Sequence, residues 1–248
     1  MADYAYLDSD RTIRIMANQN DVVSYKSQRL YCRNPRCNAR MFIHNAHNPE
    51  DAYFQAHGLP HHVGYCGCQG AQHFNRSEFD ESSFKMPDAI LNLVNHNDSA
   101  PSNISSHGSG ERTNIYPPRT VRQIYTMCVN TPPDEMYNGV YIHDIIAGED
   151  TKQHYSNGIV GPRIVECTFY QFKKSQKVIL MNFPFHRPWW RHIELWFNDE
   201  ALFDYAISYL TDTTHSDISV IAGDFFTHKD GTCYTNISSK RQLYRFRN

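Results

Sequence analysis

The sequence has no apolar run approaching the ~20 residues of a membrane span. Its opening, Met1-Ala2-Asp3-Tyr4, lacks the basic-then-apolar pattern of a secretory signal. These absences read as a cytoplasmic protein, in a reducing compartment, with no membrane partner. Net charge is small as well: 24 Lys+Arg stand against 26 Asp+Glu, net −2. That balance excludes a protein that holds nucleic acid by bulk charge alone. Large aliphatic residues are scarce; Leu, Ile, Val and Phe together supply 53 of 248 residues. The fraction lies close to the roughly 20% below which chains become disordered, but disorder also needs high net charge. Aromatics supply the missing bulk, with 16 Tyr, 14 Phe and 3 Trp. Four signatures do not occur: the phosphate loop G-x-x-x-x-G-K-[ST], the dinucleotide motif G-x-G-x-x-G, the nucleophile elbow G-x-S-x-G and the zincin H-E-x-x-H.

The seven cysteines are unevenly placed. Cys32, Cys37, Cys66 and Cys68 fall close together, whereas Cys128, Cys167 and Cys233 are scattered singly. In a reducing compartment a cluster reads as a metal site rather than a disulfide framework. The scattered three read as small buried hydrophobes. The first pair is Cys32-x4-Cys37 with Pro35 inside, a turn that can aim two thiolates at one ion. The second half offers His62-x3-Cys66, with His61 and Cys68 as competing donors. Four such donors on two short loops suit tetrahedral Zn²⁺. The expected ligand set is Cys32, Cys37, His62 and Cys66. With all four positions filled by protein, the zinc is structural, and its binding supplies folding free energy that this polar segment lacks. Thr12–Ile15 alternates as a half-buried strand, and Arg40–Ile43 with Ala52–Phe54 can form a hairpin between the ligand loops. Met86, Ile90, Leu91 and Val94 then mark a short helix.

The pattern Tyr31-Cys32-x4-Cys37, Tyr53-Phe54-x-Ala56, His62-x3-Cys66 resembles the zinc-binding N-terminal segment of CoiA-like competence proteins and related phage and mobile-element proteins. The resemblance spans residues 4–95. Members of that family continue into a restriction-endonuclease-like domain, whose Asp…Glu-x-Lys or Glu-x-Gln signature is not found downstream here. Their nuclease activity is therefore not carried over.

Composition divides the chain into a zinc-binding module at 1–95, a flexible linker at 96–114 and a second domain at 115–248. The linker is rich in Ser, Asn, Gly and His, with Ile104 its one large aliphatic residue. A short helix follows, with Val121, Ile124, Tyr125 and Cys128 at helical spacing and Pro132-Pro133 beyond it. Arg163–Phe172 is a long strand with apolar residues on both faces, and Lys173–Gln176 turns it into Lys177–Phe183. His192–Phe197 alternates: Ile193, Leu195 and Phe197 on one side, Glu194 and Trp196 on the other. Asp199 caps a helix carrying Leu202, Tyr205, Ala206 and Tyr209. Ile218–Phe226, with Gly223 read as a bulge, and Cys233–Ile237 add two strands.

The fold class is α+β and mostly β: a zinc module plus a five-stranded barrel with one helix. Three strands, a helix and two strands is the element order of the OB-fold. The second half resembles OB-fold single-strand-binding domains in that order, and in the glycine of Val220-Ile221-Ala222-Gly223. Single-strand binders need aromatic faces and basic groups along a groove. The candidates are Tyr170, Phe172, Lys173, Lys174 and Lys177 on the first hairpin, and Arg187, Trp189, Trp190 and Arg191 in the next loop. Residues 161–248 carry net +2, the most basic third of the chain.

The leading function is non-enzymatic binding of single-stranded DNA or RNA on the second domain. One alternative is a phage-type inhibitor that binds a host defence protein through the same aromatic loop. Another is a zinc-containing nuclease or nucleotide-handling enzyme built on His143-Asp144, or on Asp224 with His228.

Overall fold

The computed structural model describes residues 2–34, 37–49, 51–57, 66, 74–94, 116–183, 192–211 and 218–245. The stretch read as a linker lies outside these residues.

The first part is a five-stranded antiparallel sheet. Its strands are β1 (Tyr4–Tyr6), β2 (Arg14–Met16), β3 (Leu30–Tyr31), β4 (Arg40–His44) and β5 (Tyr53–Ala56), in the order β2-β1-β3-β4-β5. The expected hairpin is present, with Met41–His44 facing Tyr53–Ala56 across β4 and β5. β4 alternates, burying Met41 and Ile43. Ala2 exchanges two backbone hydrogen bonds with Phe54, tying the chain start to β5. Tyr4, Ala5, Ile15, Leu30 and Phe54 are buried in this small sheet.

Helix α1 (Met86–Val94) is next, then α2 (Val121–Asn130). Thr120 and Gln123 form a reciprocal capping box at the start of α2, satisfying donors that a helix end otherwise orphans. A tight hairpin joins β6 (Met136–Tyr137) to β7 (Val140–Tyr141). Its Asn138-Gly139 turn has both φ angles positive, +45° and +76°, as a two-residue hairpin turn requires. The single helical turn α3 (Ile142–Ile145) leads into β8 (Ile146–Ala147).

The rest of the chain is a closed five-stranded barrel. It comprises β9 (Gly161–Lys173), β10 (Val178–Asn182), β11 (Ile193–Phe197), α4 (Glu200–Thr211), β12 (Ser219–Thr227) and β13 (Cys233–Ile237), with β14 (Leu243–Arg245) as an added edge. Strands β9, β10 and β11 form a meander; β11 runs parallel to β13; β13 pairs with β12; and β12 closes on β9. Asp199 caps α4, accepting from the Leu202 N–H at 2.6 Å.

The two apolar faces of β9 have a physical cause. Val165 and Cys167 point into the barrel with Ile221, Phe225, Leu195 and Phe203. Ile164, from the opposite face, packs with Val220, Ala222 and the buried sides of α1 and α2. A strand covered on both faces reads as continuously apolar. α1, grouped by composition with the Cys/His segment, thus packs on the barrel wall.

Gly223 is not a bulge: β12 pairs with β9 without interruption through Gly223 opposite Arg163. The glycine is required by close packing, since a Cβ there would stand 2.3 Å from Thr235 Oγ1. The register shift lies between β9 and β10, where Phe169 faces Met181 and Gln171 faces Leu180, leaving Tyr170 as the extra residue.

β12 borders β14 at its start and β13 at its end. The fully buried Gln242 lies where they part. Its Nε2 donates to Ala222 O and Asn236 O, each at 3.0 Å, and its Oε1 accepts from the N–H groups of Ser238 and Ser239.

Candidate metal centre and barrel face

Cys32 follows β3, and Cys37 follows a turn in which its N–H donates to Asn34 O at 2.9 Å. Cys66 follows β5 in sequence. All three are buried, and their Sγ atoms lie within 4.8 Å of one another. The Cys32 and Cys66 sulfurs are 3.6 Å apart. That is far beyond a disulfide bond. It matches the edge of a tetrahedron with metal–sulfur bonds of about 2.3 Å, roughly 3.8 Å. The three cysteines can bind a metal ion. His61, His62 and Cys68 lie outside the described residues.

Arg11 holds the first ligand loop. Its guanidinium donates to the carbonyls of Cys32 (3.1 Å), Asn34 (3.3 Å) and Cys37 (2.8 Å). Arg11 has φ +56°, and Asp8 braces the turn before it by accepting from the Thr12 and Ile13 N–H groups. Those bonds hold the Asp8 carboxyl below its ordinary range. On the other side of the loop, Arg33 pairs with Asp150 at 3.0 Å, with side chains 8% and 15% exposed. The Cys32–Cys37 loop is thereby anchored to the segment that leads into the barrel. Sequence reasoning missed Arg11 and Arg33, because their partners are backbone carbonyls and a carboxylate remote in sequence.

The scattered cysteines are buried as expected. Burial pushes the thiols of Cys128, Cys167 and Cys233 upward, so all three stay protonated and unreactive.

On the barrel, the extra residue in β9 turns Tyr170 outward. Its ring stacks on His192 at 4.4 Å with an interplanar angle of 12°. From there an aromatic strip crosses the outer face. Trp196 is exposed and donates from Nε1 to Glu194 Oε2 at 3.0 Å. Glu194 faces Tyr234 across β11 and β13, and Tyr234 faces Phe226 across β13 and β12. Tyr234 stacks on Phe226 (5.5 Å) and on His228 (4.2 Å). Lysines flank the strip at two strand ends: Lys173 closes β9 with Lys174 in the turn after it, and Lys229 lies in the loop after β12, all exposed. Phe172 is exposed yet leans edge-on toward Phe203 of α4. Lys177 donates to Asn198 O at 2.8 Å, so it braces the hairpin. Arg187, Trp189, Trp190 and Arg191 lie outside the described residues. The strip residues His192, Trp196, Phe226 and Tyr234 were not singled out from sequence, and His228 was read only as a partner of Asp224. The alternation that put Trp196 opposite Leu195 was the available signal.

Burial, then the charge of Lys173, lowers the pKa of His192. A neutral ring suits stacking.

The His/Asp pairs are engaged otherwise. His143 Nδ1 lies 2.8 Å from Pro133 O, its ring stacks on His154 at 3.9 Å, and Asp144 is 3.8 Å from Nε2. Neither His143-Asp144 nor Asp224 with His228 belongs to a metal-capable cluster among the described residues. No helix among the described residues is long and apolar enough to cross a membrane. No protein-family model matches the chain, and no curated protein matches it.

Proposed function

We propose that this protein binds single-stranded nucleic acid on an OB-type barrel, and that a structural zinc ion braces its N-terminal module. The observation that carries the reading is the aromatic strip of Tyr170, His192, Trp196, Tyr234 and Phe226, flanked by lysines at two strand ends. The barrel supports the OB assignment by its strand order. Counting β9, β10, β11, β12 and β13 as one to five, the closed order is 1-2-3-5-4-1, with the helix between three and four. In that fold the face around strands two and three and its flanking loops bind oligonucleotides. Stacking tolerates any base, which fits a strip with few directional donors.

The zinc assignment rests on donor chemistry. Three buried thiols within 4.8 Å of one another favour a borderline-soft ion without redox chemistry. His62, His61 or Cys68 supplies the fourth donor. A zinc held this way orders the loop and performs no chemistry.

The test is fluorescence anisotropy with a labelled oligothymidylate of about 16 nucleotides, the upper site size of one OB fold. Trp196→Ala is expected to weaken binding about 5- to 150-fold, the range of one lost stack at about 1–3 kcal/mol. Equal affinity for wild type and Trp196→Ala overturns the barrel-face assignment.

A further inference from the structure

A second concave site lies at the other end of β12 from the aromatic strip. Residues of β14 pair with Ser219–Ile221 at the start of β12, whereas Phe226 lies near its end. At about 3.3 Å per residue the two regions are roughly 20 Å apart. Here α1, the start of α2 and β14 enclose a trough of about 970 Å³. That is near the upper end of the range for small-molecule sites, about 300–1,000 Å³.

The lining has a definite charge pattern. Lys85, Arg119, Arg122 and Arg241 surround the trough, and Asp88 is the one carboxylate among its lining residues. All four basic side chains are exposed. Among the described residues, none of the four is in an ion pair. At the start of α2 the Arg119 and Thr120 N–H groups donate to Gln123 Oε1, and the Gln123 N–H donates to Thr120 Oγ1. Full positive charge in the lining comes from these four side chains. The floor is apolar, with Pro118, Leu243 and the half-buried ring of Tyr244.

We infer that this trough binds a nucleoside polyphosphate, with the phosphates on the arginines and Lys85 and the base on the apolar floor. Three net positive charges around one cavity call for an occupant with more than one negative charge. Arginine forks match phosphate oxygens in pairs. The apolar floor calls for a flat uncharged group on the same molecule. The site stands apart from the barrel face and does not depend on it.

Calorimetric titration of the full chain with ATP, ADP, AMP, inorganic tripolyphosphate and oligothymidylate tests this. One ATP per chain is expected, with AMP and tripolyphosphate each at least tenfold weaker. Arg122→Glu with Arg241→Glu is expected to weaken ATP at least tenfold while thermal unfolding stays unchanged. Trp196→Ala is expected to leave ATP binding intact, so failure at the barrel face remains distinguishable from failure here. The inference is overturned by any of three results: no binding at millimolar ATP, no effect of the charge reversal, or tripolyphosphate binding as tightly as ATP.

Discussion

Replacing Gln242 with Met keeps the side chain's length and removes every hydrogen bond at the point where β12 parts from β13. Gln242 is fully buried and engages four backbone groups. Two of these, the N–H groups of Ser238 and Ser239, lie in a partly exposed turn and can recover water. The Asn236 carbonyl is partly buried and the Ala222 carbonyl wholly so. Leaving a buried acceptor unpaired costs about 1–3 kcal/mol, so the two carbonyls together give roughly 2–6 kcal/mol. Methionine's apolar contacts return part of this. A net loss of about 2–4 kcal/mol is expected, a fall in Tm of roughly 4–16 °C for a chain of this size. The assay is thermal and urea unfolding followed by far-UV circular dichroism, with Gln242→Glu as a second variant. Glutamate keeps the acceptor side but faces two carbonyl oxygens, so it is expected to be at least as destabilising near neutral pH. A Gln242→Met protein within about 0.5 kcal/mol of wild type refutes the view that this side chain holds the strand junction.

Other expectations follow from the same geometry. Gly223→Ala drives a Cβ to 2.3 Å from Thr235 Oγ1 and is expected to cost about 1–3 kcal/mol; adding Thr235→Ala should recover part of it, a coupling that a double-mutant cycle measures. Arg11→Met removes three carbonyl contacts from the Cys32–Cys37 loop, so zinc release to a colorimetric chelator should speed at least tenfold while Cys128 stays unreactive to thiol reagents. His192 is expected to titrate below its ordinary 6.5 by NMR, and Lys173→Ala should move it part of the way back. The sign follows: a histidine depressed in the folded state takes up protons more readily when unfolded. Its contribution is therefore full above about 6.5 and is lost as pH falls toward the folded value.

The barrel was legible because its strands are long enough to show a period. His192–Phe197 alternates over a full strand, and Asp199 marks the helix start by a mechanism that acts within three residues. The N-terminal sheet was only partly legible, since strands of two or three residues such as β1 and β3 carry too few positions for a pattern. Gly223 was recognisable as special, but the reason lies with Thr235, a neighbour visible only after folding. Cys32 and Cys37 were legible from spacing, and Cys66 joined them as expected. Arg11 and Gln242 were not legible, because a polar residue that serves remote backbone groups looks in sequence like any surface residue. The aromatic strip is assembled from four strands, so no single segment announced it.

The most direct test of single-strand binding is the salt dependence of oligonucleotide affinity. Anisotropy titrations with single-stranded and duplex probes of one sequence, across a salt series, report affinity and slope together. Lys173, Lys174 and Lys229 flank the strip, and at about 0.7 per phosphate they predict a slope near −2 in log K against log salt. That slope is expected, with the single strand preferred at least tenfold over duplex because stacking needs open bases. Equal binding of the two forms, or none at low salt, contradicts it.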